Sequence, residues 1–69
     1  MKTLNLIHKG RDSWDRPVYE SDGMLYVDVS PNSDRPEICT KSDNEFDGEP
    51  DWPIEKDVKA VFIPERDRW

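Results

Sequence analysis

Three groups of residues have the types and spacing to do chemistry. The segment Asp43-Asn44-Glu45-Phe46-Asp47-Gly48 sets side-chain oxygens at its first, third and fifth positions and glycine at its sixth. The first half of a calcium loop has that pattern. A complete loop closes with a bidentate Glu at position twelve, but Ile54 stands there and Glu55 comes one place late. Pro50 and Pro53 also interrupt the stretch where the following helix would start. The segment therefore reads as a solvated acidic loop pinned by Phe46 and Trp52, with no metal. The second group is His8 and Cys39, the only imidazole and the only thiol. A Cys39–His8 dyad has no recognisable motif spacing, and one Cys with one His falls short of the four ligands of a structural zinc site. The three glycines are scattered rather than gathered in a phosphate loop. The expectation is a chain with no catalytic residues and no cofactor.

The third group is a pair of Trp–Pro–charge clusters. One is Arg11-Asp12-Ser13-Trp14-Asp15-Arg16-Pro17-Val18-Tyr19-Glu20; the other is Glu45-Phe46-Asp47-Gly48-Glu49-Pro50-Asp51-Trp52-Pro53-Ile54. Each sets large aromatics among carboxylates, with proline fixing the backbone. Trp14 and Trp52 have two readings. Each could cap the core of a domain too small to close its own ends. Each could instead anchor an interface, where Trp, Tyr and Arg are enriched. The interaction candidates are Trp14, Arg11, Arg16 and Tyr19 from the first cluster, and Phe46, Asp47, Glu49 and Trp52 from the second. Arg11 and Arg16 flank Trp14, and Asp47, Glu49 or Asp51 are their natural ionic partners. Such pairs would join the clusters into one surface.

These clusters must be positioned by a small scaffold. Sixty-nine residues make one domain. A single Cys gives no internal disulfide, so the apolar 33% must supply the core. Sixteen acidic against ten basic residues leave a net charge of −6. That balance disfavours a sequence-independent grip on nucleic acid and on anionic membranes. The start, Met1 to Lys9, holds a short apolar stretch broken by Asn5, too short for a signal-peptide core or a membrane span. The unpaired thiol fits a reducing cytoplasm.

Along the chain, Thr3–His8 alternates as a first strand, and Gly10–Ser13 is a turn. Arg16–Glu20 is a strand entered through Pro17. Ser21-Asp22-Gly23 is a hairpin signal. Met24–Val29 is the clearest strand, with Leu25, Val27 and Val29 on one face, expected to be the core face. Residues 30–36 are a loop, whose Asp34-Arg35-Pro36 matches Asp15-Arg16-Pro17. Glu37–Thr40 is a short strand and Lys41–Pro53 a long acidic loop. Ile54, Val58, Val61 and Phe62 have helical spacing, yet Val58–Ile63 is β-branched and aromatic and is stopped by Pro64. We read it as a strand. Residues 1–64 form a single small β domain, and 65–69 are a charged tail in which Trp69 either packs back or hangs free.

Three stretches carry a family resemblance: Arg11 to Glu20, Asp22 to Val29, and Asn44 to Asp51 with Pro53-Ile54. Together they resemble a small uncharacterised domain of gut-bacterial mobile elements, similar to accessory modules attached to large polyvalent proteins of phages and conjugative elements. The resemblance covers roughly residues 4 to 54, and 55–69 lies outside it. It implies a bacterial cytoplasmic setting and an accessory role, with no activity and no catalytic residue. The combined expectation is a mainly β fold, a small antiparallel meander on a central hairpin with long Trp/Pro loops. Its function would be to bind a partner protein without catalysis. The main rival is an acidic nucleic-acid mimic that blocks a host DNA-binding or defence protein. A metal-dependent or thiol enzyme is a third.

Overall fold

The structure, a computed structural model, describes residues 2–55 and 57–67. It is mainly β: β1 Lys2–Arg11, β2 Pro17–Ser21, β3 Met24–Asp28, β4 Ile38–Lys41, β5 Pro50–Pro53 and β6 Val58–Ile63. A 3₁₀ turn, Ser42–Asn44, follows β4. No helix among the described residues is long and apolar enough to cross a membrane. The strands form one six-stranded sheet in the order β5-β4-β3-β2-β1-β6. The expected antiparallel meander holds from β1 to β5, with the hairpin β2–β3 at its centre. Asp22 and Gly23 turn that hairpin with φ of 50° and 82°, the two positive values a tight two-residue turn requires. β6 departs from the meander. It pairs parallel to β1, from Lys2↔Val58 to Ile7↔Ile63.

That last pairing dictates the shape. From Pro53 to Val58 the chain can reach at most about 18 Å. A flat sheet would separate β5 from β6 by five interstrand spacings, about 24 Å. The sheet must curl until its edges approach. The packing agrees: Ile54 N donates to Ile38 O at 3.0 Å, and Ile54, Ala60 and Phe62 all rest on the core of Leu6, Tyr19 and Ile38. Leu4 and Tyr26 complete this inner cluster. The Tyr19 ring meets Phe62 and His8 edge-on, with centroids 5.1 and 5.5 Å away.

The outer face is also covered at one end. Val18 and Val27, register partners, are fully buried. Cys39 lies opposite Val27, so the next residue of that parity, Lys41, shares their face. The Lys41 ammonium is held by Asp12, which brings the 12–16 turn to the face these valines share. The expected division of β3 therefore needs correction. Val27 is buried as expected, but Leu25 and Val29 are only half-buried, while Asp28 on the opposite parity is fully buried. The 12–16 turn lies at one end of the outer face and leaves Leu25, beside the hairpin turn, at its margin.

Several boundaries also differ. β1 runs three residues beyond His8, through a register shift between His8 and Gly10, where a turn was expected. The stretch read as one acidic loop contains both the 3₁₀ turn and β5. Arg66 and Asp67 of the expected charged tail are bonded into the body, as described below; Trp69 lies outside the described residues.

Candidate functional site

The first cluster is organised around one carboxylate. Asp12 Oδ1 accepts the backbone N–H of Trp14 and of Arg16, both at 3.0 Å. Asp12 Oδ2 accepts Lys41 Nζ at 2.8 Å and Arg16 Nη2 at 3.3 Å. Backbone bonds from Asp15 N to Asp12 O and from Asp12 N to Arg16 O close the turn. Burial would raise the Asp12 carboxyl, but the Lys41 hydrogen bond, the Arg16 backbone N–H and the two cations carry it below its ordinary range. Both side chains of the Asp12–Lys41 pair are fully shielded from water. A charge pair so placed persists only when its hydrogen bonds are satisfied, and both Asp12 oxygens are occupied here. Trp14 stands out from it, 51% exposed, with the Arg16 guanidinium 4.9 Å from its ring centroid.

The second cluster is folded against the first. Ser42 N donates to Glu49 O, Glu45 N to Ser42 O and Gly48 N to Glu45 O. A Cβ at Gly48 would sit 2.4 Å from Ser42 O, so the loop closes only with glycine there. Asn44 grips the hairpin turn, accepting from Leu25 N and donating to Gly23 O. Asp47 Oδ1 accepts both the backbone N–H and the hydroxyl of Ser13, at 2.9 and 3.1 Å. One of the three calcium-like oxygens, that of Asp47, is thus already committed to the protein. Among the described residues, no three His, Cys, Asp or Glu side chains gather as metal ligands.

The two clusters do form one surface, but not through the expected arginine pairs. Ser13–Asp47 makes the link, and Asp12–Lys41 ties the first cluster to the end of β4. Arg11 instead places two guanidinium nitrogens on Asp67, at 2.9 and 3.0 Å, and a longer contact on Asp15. Arg16 turns inward to Asp12, and its Nε is buried with no partner. Arginine follows the nearest carboxylate of its own loop or of the returning chain end, a preference that composition does not reveal. Tyr19 cannot be an exposed contact. It sits in the core with no accessible surface, because β2 is central and its parity faces inward. Phe46 is 37% exposed, beside Gly10, and Trp52 is 71% exposed on the edge strand β5. Glu49 and Asp51 are exposed.

A second polar assembly went unforeseen. Asp67 Oδ2 meets His8 Nε2 at 2.9 Å, and Asp67 N donates to the Tyr19 hydroxyl at 2.9 Å. The Arg11 hydrogen bond holds the Asp67 carboxyl below its ordinary range, against the effect of burial, and His8 adds to the pull. Burial pushes the Tyr19 hydroxyl up. Next to it, Arg66 reaches Asp28 Oδ2, Ser30 O and Ser33 O. Asp28 Oδ1 accepts Ser30 N and Glu37 N. This network ties the chain end and the 29–37 loop to the sheet. The sequence signal was only a charged tail after Pro64.

Cys39 is removed from His8. Their strands are three places apart in the sheet and the side chains have opposite parity. Burial, with Glu37 nearby, pushes the Cys39 thiol up, which opposes nucleophilic activation. Comparison with known proteins returns no match among family models, curated proteins or solved structures.

Proposed function

We propose that this chain is a non-enzymatic protein-interaction module whose principal anchor is Trp14. One observation carries the reading: a half-exposed Trp is mounted on a turn fixed from below by the buried Asp12–Lys41 pair. An aromatic already held in place loses little freedom on binding, and such side chains dominate interface energetics. Arg16 beside the indole and Phe46 from the joined loop extend the same surface. The resemblance to accessory domains of bacterial mobile elements supports a cytoplasmic partner.

A second reading, an acidic nucleic-acid mimic, draws on the charge distribution. Lys9, Arg11, Arg16, Lys41 and Arg66 are each paired with a carboxylate. Asp43, Glu45, Glu49 and Asp51 face solvent. The exposed carboxylates of 43–51 give this part of the surface a local negative character.

Affinity capture from bacterial lysate, followed by titration of the captured protein, separates the two. The aromatic anchor predicts that Trp14→Ala weakens binding by roughly tenfold or more with circular dichroism unchanged, and that salt has little effect. Mimicry predicts a roughly tenfold loss between about 50 and 200 mM salt, displacement by duplex DNA, and no effect of Trp14→Ala.

A further inference from the structure

The last described residues lie on the sheet in the manner of a bound peptide. The β1–β6 ladder ends at Ile7↔Ile63. Beyond it, among the described residues, the hydrogen bonds of 64–67 all involve a side chain. Three acceptors hold the Arg66 guanidinium. Its Nε donates to Asp28 Oδ2 at 2.9 Å, Nη1 to Ser33 O at 2.6 Å and Nη2 to Ser30 O at 2.8 Å. The Asp28 side chain has no exposed surface, and its other oxygen accepts the backbone N–H groups of Ser30 and Glu37. A planar fork with a donor at each nitrogen fits this set of acceptors; a lysine ammonium does not.

The next residue is gripped at backbone and side chain together. Asp67 N donates to the Tyr19 hydroxyl at 2.9 Å. Asp67 Oδ1 accepts Arg11 Nη2 at 2.9 Å, and Oδ2 accepts Arg11 Nε at 3.0 Å and meets His8 Nε2 at 2.9 Å. The two neighbouring pockets thus have opposite character. One offers a carboxylate and two carbonyls, the other a guanidinium and an imidazole. Paired contacts, not net charge, set what fits. Of the other charged groups around them, Asp15 shares Arg11, Lys9 pairs with Glu20, and Asp34, Arg35, Glu37 and Glu65 are exposed. A cavity of about 470 Å³ opens beside the segment, between His8 and Pro64 to Asp67.

We propose that these pockets form a binding site for an Arg-Asp segment of a partner protein, with the chain's own Arg66-Asp67 as the resident competitor. The partner's arginine replaces Arg66 on Asp28, Ser30 and Ser33. The N–H of the residue after it donates to the Tyr19 hydroxyl, and that residue's carboxylate lies between Arg11 and His8. Flanking residues of the partner enter the cavity, and these added contacts offset the high effective concentration of the tethered resident. Trp14 makes none of these contacts, so the site is independent of the loop surface.

The test uses the full chain carrying Arg66→Ala and Asp67→Ala, ¹⁵N-labelled, and a capped Arg-Asp dipeptide. Saturable amide shifts should centre on His8, Asp28, Ser30, Ser33 and Glu37. Replacing the dipeptide's Arg by Lys, or its Asp by Asn, should each weaken binding roughly tenfold or more. Wild type should bind the dipeptide roughly tenfold or more weakly than the variant, because its own segment fills the site. If the variant is unfolded, the Arg-Asp dipeptide should restore its far-UV circular dichroism where Lys-Asp does not. The proposal is overturned by equal binding of Lys-Asp, by equal binding to wild type and variant, by shifts confined to 42–51, or by no saturation and no recovery of structure at millimolar peptide. Shifts at the same residues that grow with wild-type protein concentration would assign the pockets to a second copy's Arg66-Asp67 and also overturn it.

Discussion

The two Trp–Pro–charge clusters look alike in sequence and meet opposite fates. In the first, Asp12, Pro17, Val18 and Tyr19 are buried, and Trp14 is its only exposed aromatic. In the second nothing is buried, and Trp52 is the most exposed large apolar side chain of the described residues. The difference is the place of the strand each one feeds. The first runs into β2, third from one edge of the sheet and paired on both sides; the second runs into β5, which has one neighbour. A central strand gives its residues a ceiling and a floor, so the same composition becomes core. An edge strand gives neither. Aromatic content alone therefore says little about where a side chain ends up.

This comparison can be broken at its largest difference. Tyr19→Ala should cost about 3–5 kcal/mol, as for other buried aromatics, enough to unfold a domain of marginal stability. Trp52→Ala should stay within about 0.5 kcal/mol. Urea denaturation of the two variants measures the gap, and similar midpoints would mean that both clusters are equally buried.

A smaller effect is expected at Asp12. Asp12→Ala removes the partner of a buried ammonium and two backbone contacts of the Trp14 turn, and should cost about 3 kcal/mol. The second cluster offers the control, because Asp51→Ala touches an exposed side chain. If both losses fall below about 0.5 kcal/mol by urea denaturation, the turn is not held by the Asp12–Lys41 pair.

The smallest effect concerns acid. The carboxyl of Asp67 is depressed in the folded chain. Its contribution is present above the unfolded value of about 3.9 and is lost as pH falls through the lower folded value. The contribution of a partly exposed pair is at most about 1 kcal/mol. Thermal melts from pH 6 down to pH 2.5 should show wild type losing this increment at the acid end. Asp67→Asn should lack it throughout, so the two curves converge as pH falls. Curves that stay parallel would assign the acid sensitivity elsewhere, Asp12 being the next depressed group.

Local rules made the centre of this fold legible. Alternation on both sides of Asp22-Gly23 places β2 and β3 within one residue, and the β-branched run Val58–Ile63 overrides its helical spacing, as observed. Long-range geometry did not show in the same way. Nothing in Val58–Ile63 announces a parallel pairing with β1, because strand direction is set by the curl of the sheet and the packing of Ala60 and Phe62 on its core. The candidate site was half legible. The sequence left Trp14 and Trp52 open between core cap and exposed anchor and had Phe46 and Trp52 pinning the acidic loop, whereas Trp52 is 71% exposed on the edge strand. Lys41 carries no mark that it will be buried, since its burial depends on an Asp 29 positions earlier. Asp28 likewise looks like the polar face of a strand until Arg66 arrives from the far end of the chain.

The parallel β1–β6 pairing also sets an order of events in time. It joins Lys2 to Val58 and Ile7 to Ile63, contacts that span nearly the whole chain. Every antiparallel pair of the meander can close while the polypeptide is still growing, but β1 keeps one bare edge until the residues of β6 have been made. Non-local pairings of this kind are the slow ones. During synthesis, the interval between the completion of β5 and the arrival of β6 is therefore when this chain is most open to chaperones or to strand exchange with its neighbours.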